Sequence, residues 1–186
     1  MPTSAPVSCC HLGVSFMQLQ EQVAAGLIEK IDSGLYRLID VEMSELETIA
    51  MVAAAAPKAI VCLLSALRVH DIGTQGSHEL WLAVDRKARV PTRLPARARF
   101  VRWSGAMLTY GVTVIPILGV PVRITSPART VVDSFRYRNK IGLDVALDAL
   151  RDGVRSRRVQ VADIDRAAEV CRMRTVMAPY RAALTV

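Results

Sequence analysis

The sequence predicts an α+β protein: an N-terminal partial winged helix-turn-helix, then a mainly antiparallel sheet packed by helices, with a helical C-terminal end. Three observations lead there. Strand-like alternation and helix-like spacing occur in separate blocks without a regular βαβ rhythm. The composition, 52% hydrophobic and 22% charged over 186 residues, is ordinary for a globular chain and sufficient for one good core or two small lobes. No run of about 18 apolar residues exists, because Pro57 and Lys58 break the longest candidate, Met51 to Leu67, so no membrane span is expected.

His11 to Leu38 reads as turn, helix, strand, turn, strand. Gly13 makes the turn, Ser15 caps a helix from Phe16 to Ala25, and Gly26 ends it. Leu27 to Ile31 and Leu35 to Leu38 flank Asp32, Ser33 and Gly34 as a hairpin. A helix followed by a β-hairpin is the back half of a winged helix, recognition helix then wing. Only about a dozen residues precede Gly13, too few for the two helices that bury the inner face of such a helix, so residues 1–40 are expected to be a partial module. Ser15, Gln18, Gln22, Lys30 and Arg37 are its candidate nucleic-acid contacts, although Glu21 repels phosphate.

Residues 41–186 form the body. Ser44 to Glu47 is a capping box, S-x-x-E, opening an alanine-rich helix to Ala56 that Pro57 closes. Ala59 to Val69 places Ile60, Leu63, Leu64 and Leu67 at helical spacing and reads as a buried helix ending near His70, with a strand as the alternative because Ile60 and Val61 are β-branched. Ser77 to Asp85 alternates as a strand, with Leu80, Leu82 and Val84 on one face and Trp81 on the other. Arg86 to Arg99 has no periodicity and reads as a basic loop. Phe100 to Trp103 resumes as a strand with Arg102 outward, and Val112 to Ile117 and Val120 to Thr125 form a hairpin around Leu118 and Gly119, Pro116 and Pro121 suggesting edges.

Ser126 followed by Pro127 is an N-cap with proline at the first helical position. Val131, Val132 and Phe135 then share a face, Arg136, Arg138 and Lys140 gather at the negative end of the helix dipole, and Asn139 and Gly142 terminate it. Asp133 lies near Arg129 and Arg136 and can pair with arginine to hold this joint. A second helix follows, with Asp144, Asp148 and Asp152 mostly to one side. Val154 to Val159 reads as a basic connector, Val161 to Cys171 as a helix, and Val176 to Leu184 as a last one interrupted at Pro179.

The net charge of +7 hides an asymmetry. Residues 1–85 carry 4 Lys/Arg against 10 Asp/Glu, and residues 86–186 carry 20 against 7. Arg86, Lys87, Arg89, Arg93, Arg97 and Arg99 make one basic cluster, and Arg136, Arg138, Lys140, Arg155, Arg157 and Arg158 another. Such a half attracts nucleic acid or an acidic protein; the alternative is solvated arginine on an otherwise apolar chain. Cys9 and Cys10 are adjacent, Cys62 and Cys171 sit among apolar neighbours, and buried thiols fit better than disulfides. Cys9, Cys10 and His11 lack a fourth ligand, so no metal site is expected. The start also lacks the features of a secretory signal, which makes the expected location cytoplasmic.

Five blocks in order, GLYRL (34–38), CLLSAL (62–67), HELWLAV (78–84), RFVRWSGAMLTYGV (99–112) and SPARTVVDSFRYRNKIGLDVALDALR (126–151), resemble the AbiEi antitoxins of bacterial type IV toxin–antitoxin systems. That resemblance implies a winged helix that represses the antitoxin's own operon by binding operator DNA, and a C-terminal domain, here 41–186, that neutralises a nucleotidyltransferase toxin in phage defence. It also makes Ser126, Arg129, Asp133, Arg136, Arg138, Asn139 and Lys140 the antitoxin-domain motif. Family antitoxins are thought to act without masking the toxin in a stable complex.

Catalysis leaves a constellation, and the familiar ones are missing: no GxxxxGK[ST], GxGxxG after a strand, GxSxG, HExxH or CxxC occurs, and His11, His70 and His78 lie in different elements. No catalytic residue, cofactor, metal or small-molecule substrate is expected. The two readings carried forward are an antitoxin and a DNA-binding transcriptional regulator without a toxin partner.

Overall fold

The computed structural model describes residues 15–32, 35–38 and 44–182, and among them the protein is mixed α and β, with a helical C-terminal end. It falls into two compact units. One comprises Met1–Pro57, Pro91–Ala96 and Val114–Val122, the other Lys58–Val90, Arg97–Thr113 and Arg123–Val186.

In the first unit, α1 (Phe16–Ala24) begins as expected. Ser15 Oγ accepts from the Gln18 N–H at 3.3 Å and Gln18 Oε1 accepts from the Ser15 N–H at 2.9 Å, a capping box that satisfies two otherwise orphaned donors. Gly26, at φ +70°, takes the chain out of the helix. β1 (Ile28–Asp32) and β2 (Leu35–Leu38) pair antiparallel from Ile28↔Leu38 to Asp32↔Leu35, with a register slip between Lys30 and Asp32. The turns at Gly13 and at Ser33–Gly34 lie outside the described residues. α2 (Glu45–Ala55) starts on the second capping box, in which Glu47 accepts from the Ser44 N–H at 2.7 Å and Ser44 Oγ from the Glu47 N–H at 3.2 Å. Ile49, Ala50, Met51 and Val52 are buried on it.

The main sheet has the order β5-β4-β3-β7-β6, from β3 (Ile60–Val61), β4 (Leu80–Asp85), β5 (Ala98–Trp103), β6 (Val112–Ile117) and β7 (Val120–Thr125). It is a mixed sheet. β3 runs antiparallel to β4 and parallel to β7, and β4 runs parallel to β5 through six registered pairs, Leu80↔Ala98 to Asp85↔Trp103. Both readings of Ala59 to Val69 are realised in sequence. The β-branched pair Ile60–Val61 takes the strand, and α3 (Leu63–Val69) starts at once, with Leu63 at φ +50° making the change of direction. Leu80, Trp81, Leu82, Ala83 and Val84 are all buried, so β4 is covered on both faces.

Against one face of this sheet pack α3 and α4 (Pro127–Arg136), followed by α5 (Arg138–Ile141), α6 (Leu143–Arg155), α7 (Val161–Val170) and α8 (Arg174–Ala182). One core cluster joins Ile60, Cys62, Leu63, Trp81, Ala83, Val101 and Trp103 on the sheet side. The other joins Leu67, Ile72, Val131, Val132, Phe135, Ala149, Leu150, Ile164 and Met177 among the helices. α4 belongs to both sides, and every residue from Arg129 to Phe135 is buried.

Three expectations need correction. Asn139 does not end the helix: α4 stops at Arg136, Tyr137 leaves helical geometry at φ −102° and ψ 17°, and Asn139 sits inside the short α5, which Gly142 breaks at φ +100°. The connector after Gly153 is partly helix, because α6 continues to Arg155. Gly153 is buried where α6 meets its neighbours, and a Cβ there would stand 3.2 Å from Val159 Cγ2, so this glycine allows close packing and does not terminate the helix. α8 likewise runs through Pro179, forgoing one backbone hydrogen bond.

Ser44→Ala should lower unfolding stability by about 1 kcal/mol, through loss of the acceptor for the Glu47 N–H. The readout is a lower urea midpoint at an unchanged slope; an unshifted midpoint would show that the Glu47 side chain alone holds this helix start.

Candidate functional site

The polar centre of the second unit is a buried ion pair inside α4. Arg129 and Asp133 are one helical turn apart, so both side chains project from the same face, and both are 0% exposed. Arg129 Nε donates to Asp133 Oδ2 at 2.7 Å, Nη1 to the Tyr110 carbonyl at 2.5 Å, and Nη2 to the Met107 carbonyl at 3.2 Å. The guanidinium carbon lies 4.7 Å from the centre of the Trp103 ring. The Trp103 indole N–H in turn donates to the Tyr137 hydroxyl at 2.9 Å. Gly111 makes room for this arrangement: at φ +60°, a Cβ on it would lie 2.9 Å from Arg129 Cβ.

Asp133 pays for its position. Its Oδ1 has no hydrogen-bond partner among the described residues. Burial pushes the carboxyl up to about 6, against the downward pull of Arg129 and Arg136. Burial first, then the negative charge of Asp133, also holds the Cys62 thiol well above its ordinary value, which makes it inert as a nucleophile. The hydroxyls of α4 are satisfied locally: Thr130 Oγ1 shares a 2.7 Å hydrogen bond with Thr125 Oγ1, and Ser134 donates to the Thr130 carbonyl at 3.0 Å. Ser126 stands at the N-cap position, but its hydroxyl makes no capping bond. The expected pairing of Asp133 with arginine is therefore present, as an interior contact. Trp103, Met107, Tyr110 and Gly111 complete it, and sequence reasoning did not find them. Their only signal was their grouping within one block, RFVRWSGAMLTYGV.

The two basic clusters differ in how their charges are used. Four of the six in the second have partners within the chain, two of them at the surface. Arg136 donates to the Cys171 carbonyl, Arg138 to the Phe135 carbonyl at 2.8 Å, Arg155 pairs with Asp152 at 3.1 Å and Arg158 with Asp71 at 2.5 Å. The first two cover orphaned helix C-terminal carbonyls, where cations are favoured. Lys140 is exposed, with its ammonium 5.7 Å from the Tyr137 ring, and Asn139 is exposed beside it. In the first cluster Arg86, Lys87, Arg89, Arg93 and Arg97 are exposed and make no side-chain hydrogen bond or ion pair among the described residues. Arg99 pairs with Glu79 and lies 5.6 Å from the Trp81 ring. Because β4 and β5 run parallel, Arg86, Lys87 and Arg89 follow the C-terminal end of the pair, and Arg97 and Arg99 stand at its N-terminal end. Arg93 belongs to the first unit.

On α1, Ser15 and Gln18 are engaged with each other in the capping box, leaving Gln22 exposed and Lys30 exposed on β1. The side chain of Arg37 and all of Cys9, Cys10 and His11 lie outside the described residues. No residue of α1 is buried, and Phe16 and Met17 are 66% and 74% exposed.

His70 Nε2 bonds the Thr125 carbonyl at 2.6 Å, its pKa lowered by burial, and His78 is exposed. Among the described residues no three His, Cys, Asp or Glu side chains stand together so as to hold a metal ion, and no helix is long and apolar enough to cross a membrane. An open groove beside the α4 N-terminus is lined by Tyr110, Ser126, Pro127, Arg158 and Asp163.

No family model matches the chain, and no curated protein matches it. Among solved structures, the RV2827C protein from Mycobacterium tuberculosis is similar in fold, with a TM-score of 0.57 and 12% identity over 91% of this chain. This chain spans 66% of that protein's length, just under two thirds. At that identity the likeness concerns the fold alone.

The Asp133 carboxyl makes a signed prediction. Its value rises from the ordinary 3.8 to about 6 on folding, so the native state binds the proton more tightly than the unfolded chain. Its contribution to stability is fully present below pH 4 and is lost as pH rises through about 6. The unfolding free energy of wild type minus that of Asp133→Asn should thus decrease between pH 4 and pH 6 and level off above. A difference that grows with pH across this window would mean that pairing with Arg129 outweighs burial. Separately, Arg129→Ala should cost about 3–5 kcal/mol at pH 7, because it leaves a carboxylate buried without its partner.

Proposed function

We propose that this chain is the antitoxin of a bacterial type IV pair of the AbiEi kind, a cytoplasmic protein without chemistry of its own that counteracts a nucleotidyltransferase toxin. One observation carries the reading. Four of the blocks that bear the resemblance meet at the buried centre of the second unit: Cys62 from the second block, Trp81 and Ala83 from the third, Trp103, Met107 and Tyr110 from the fourth, and Arg129 and Asp133 from the fifth. Blocks far apart in the sequence that assemble one interior support a relationship of whole domains more strongly than a single shared stretch does. The partners are then a cognate nucleotidyltransferase, functionally, and operator DNA.

The motif residues Arg129 and Asp133 are inaccessible, so in this reading they build the antitoxin domain and its surface acts. The exposed, unpaired cations of the first cluster favour action at a nucleic acid, the toxin's target or product, over a sealed protein complex. The same cations sustain the second reading, a DNA-binding regulator with no toxin.

Co-expression decides between them. Inducing the chain together with a nucleotidyltransferase encoded beside it should restore the growth that the enzyme alone abolishes. Growth no better than with the enzyme alone, together with a salt-sensitive gel shift of the upstream intergenic DNA, would leave the regulator standing in its place.

A further inference from the structure

We propose that the outer edge of the main sheet, along β5, is a docking surface for the phosphate backbone of a nucleic-acid duplex, bound without regard to sequence. This goes beyond the antitoxin reading and holds whether or not a toxin partner exists.

Among the described residues β5 is the last strand of its sheet. Around it stand six exposed cations, Arg86, Lys87, Arg89, Arg97, Arg99 and Arg102, against two carboxylates, Asp85 and Glu79. Both acids are committed. Glu79 holds Arg99, and Asp85 Oδ1 accepts from the Lys87 backbone N–H at 2.7 Å. Arg86, Lys87, Arg89 and Arg97 face solvent with nothing to pair with among the described residues. Six cations against two carboxylates leave an excess of four positive charges, with Arg86, Lys87 and Arg89 inside one four-residue stretch, and a polyanion neutralises that excess.

The cations are also presented from ordered backbone. Arg102 reaches from β5 to the turn after β4, where its Nη1 donates to the carbonyls of Arg86 at 2.9 Å and Ala88 at 2.8 Å, with that of Asp85 at 3.4 Å. The Ala88 N–H closes the same turn on the Asp85 carbonyl at 3.0 Å, and the Arg86 N–H donates to the Trp103 carbonyl at 2.8 Å. Arg102 is therefore a positioning residue: it fixes the backbone that carries Arg86, Lys87 and Arg89, so less freedom is lost when they close on phosphate.

Geometry and chemistry favour a duplex. A six-residue strand spans about 17–20 Å, and a duplex laid along that length offers on the order of ten phosphate charges. Single-strand binders add aromatic faces on which bases stack. Here Trp81 and Trp103 are 4% and 3% exposed, covered within the core, and no other aromatic side chain belongs to the stretch except the half-buried Phe100. From Arg86 to Arg99 there is no Asn or Gln to read adenine, and arginine, which can fork onto guanine, serves phosphate equally, so a duplex of arbitrary sequence is the probe that reads backbone contact alone.

The test uses the full chain with a short fluorescein-labelled duplex of arbitrary sequence, the matching single strand, and poly-L-glutamate, each followed by fluorescence anisotropy across a salt series. With four unpaired cations engaged, the logarithmic salt slope on duplex should be about −4 and should fall to about −1 in the Arg86→Gln, Lys87→Gln, Arg89→Gln triple variant. These three side chains are exposed, and far-ultraviolet circular dichroism with an unchanged thermal midpoint verifies that the variant is folded. A triple variant that keeps the wild-type slope overturns the proposal, as does tighter binding of the single strand, or of poly-L-glutamate, than of duplex. The growth assay reads the toxin pairing separately, so either idea can fail alone.

Discussion

Everything in the second unit depends on α4 being buried from Arg129 to Phe135. A helix enclosed by a sheet on one side and by helices on the other has no solvent face on which to put polar side chains, yet this one carries Arg129, Thr130, Asp133 and Ser134 in its interior. Burial forces each to find a partner nearby. The hydroxyls turn back to the backbone, and the arginine closes on the aspartate one turn away and on two carbonyls of the segment preceding β6. Hydrophobic packing alone would accept many placements of that segment. A guanidinium whose donors must meet Asp133, Tyr110 and Met107 at once accepts very few.

The same economy accounts for the arginine content. Net charge says little about function when a cation can be consumed by a helix end or an interior carboxylate. Arg136 and Arg138 cover carbonyls and belong to the framework, Arg155 and Arg158 answer aspartates at the surface, and Arg157 and Lys140 are exposed. Apart from Arg99, which pairs with Glu79, the first cluster has no comparable internal use among the described residues. Arg102 lies between these categories: its charge is exposed, but its hydrogen bonds organise a turn. Distinguishing surface from scaffold therefore required the partners of each arginine, which no count of residues supplies.

What was legible in the sequence follows from the range of the interactions involved. The cap at Ser15, the capping box at Ser44, the glycine exit at Gly26 and the Pro127 helix start are local, and each sits where the residues indicated. The pairing of Asp133 with an arginine was also readable, because positions four apart on a helix share a face. The role of Gly153 was not: it looked like a stop, but its reason is close approach to Val159, a tertiary matter. Nor could spacing reveal that Trp103 would lie beneath Arg129, or that Asp148 and Asp152 would accept from the backbone N–H groups of Thr74 and Gly73. The basic loop was visible as composition, and its division between two ends of a strand pair became apparent only with the register of β4 and β5.

These two scales separate what makes the fold from what the fold does. Residues that bear the resemblance to antitoxins, above all Arg129, Asp133 and Trp103, are interior, and an interior constrains surfaces only indirectly. Two proteins can therefore share this centre and present quite different faces to solvent. It follows that altering the centre will report on folding whatever the function is, whereas altering Arg86, Lys87 and Arg89 leaves the interior untouched and bears on partners alone. An assignment of activity to this chain is therefore better argued at surfaces such as the β5 edge and the exposed face of α1, whose side chains, among the described residues, are not needed to hold the interior together.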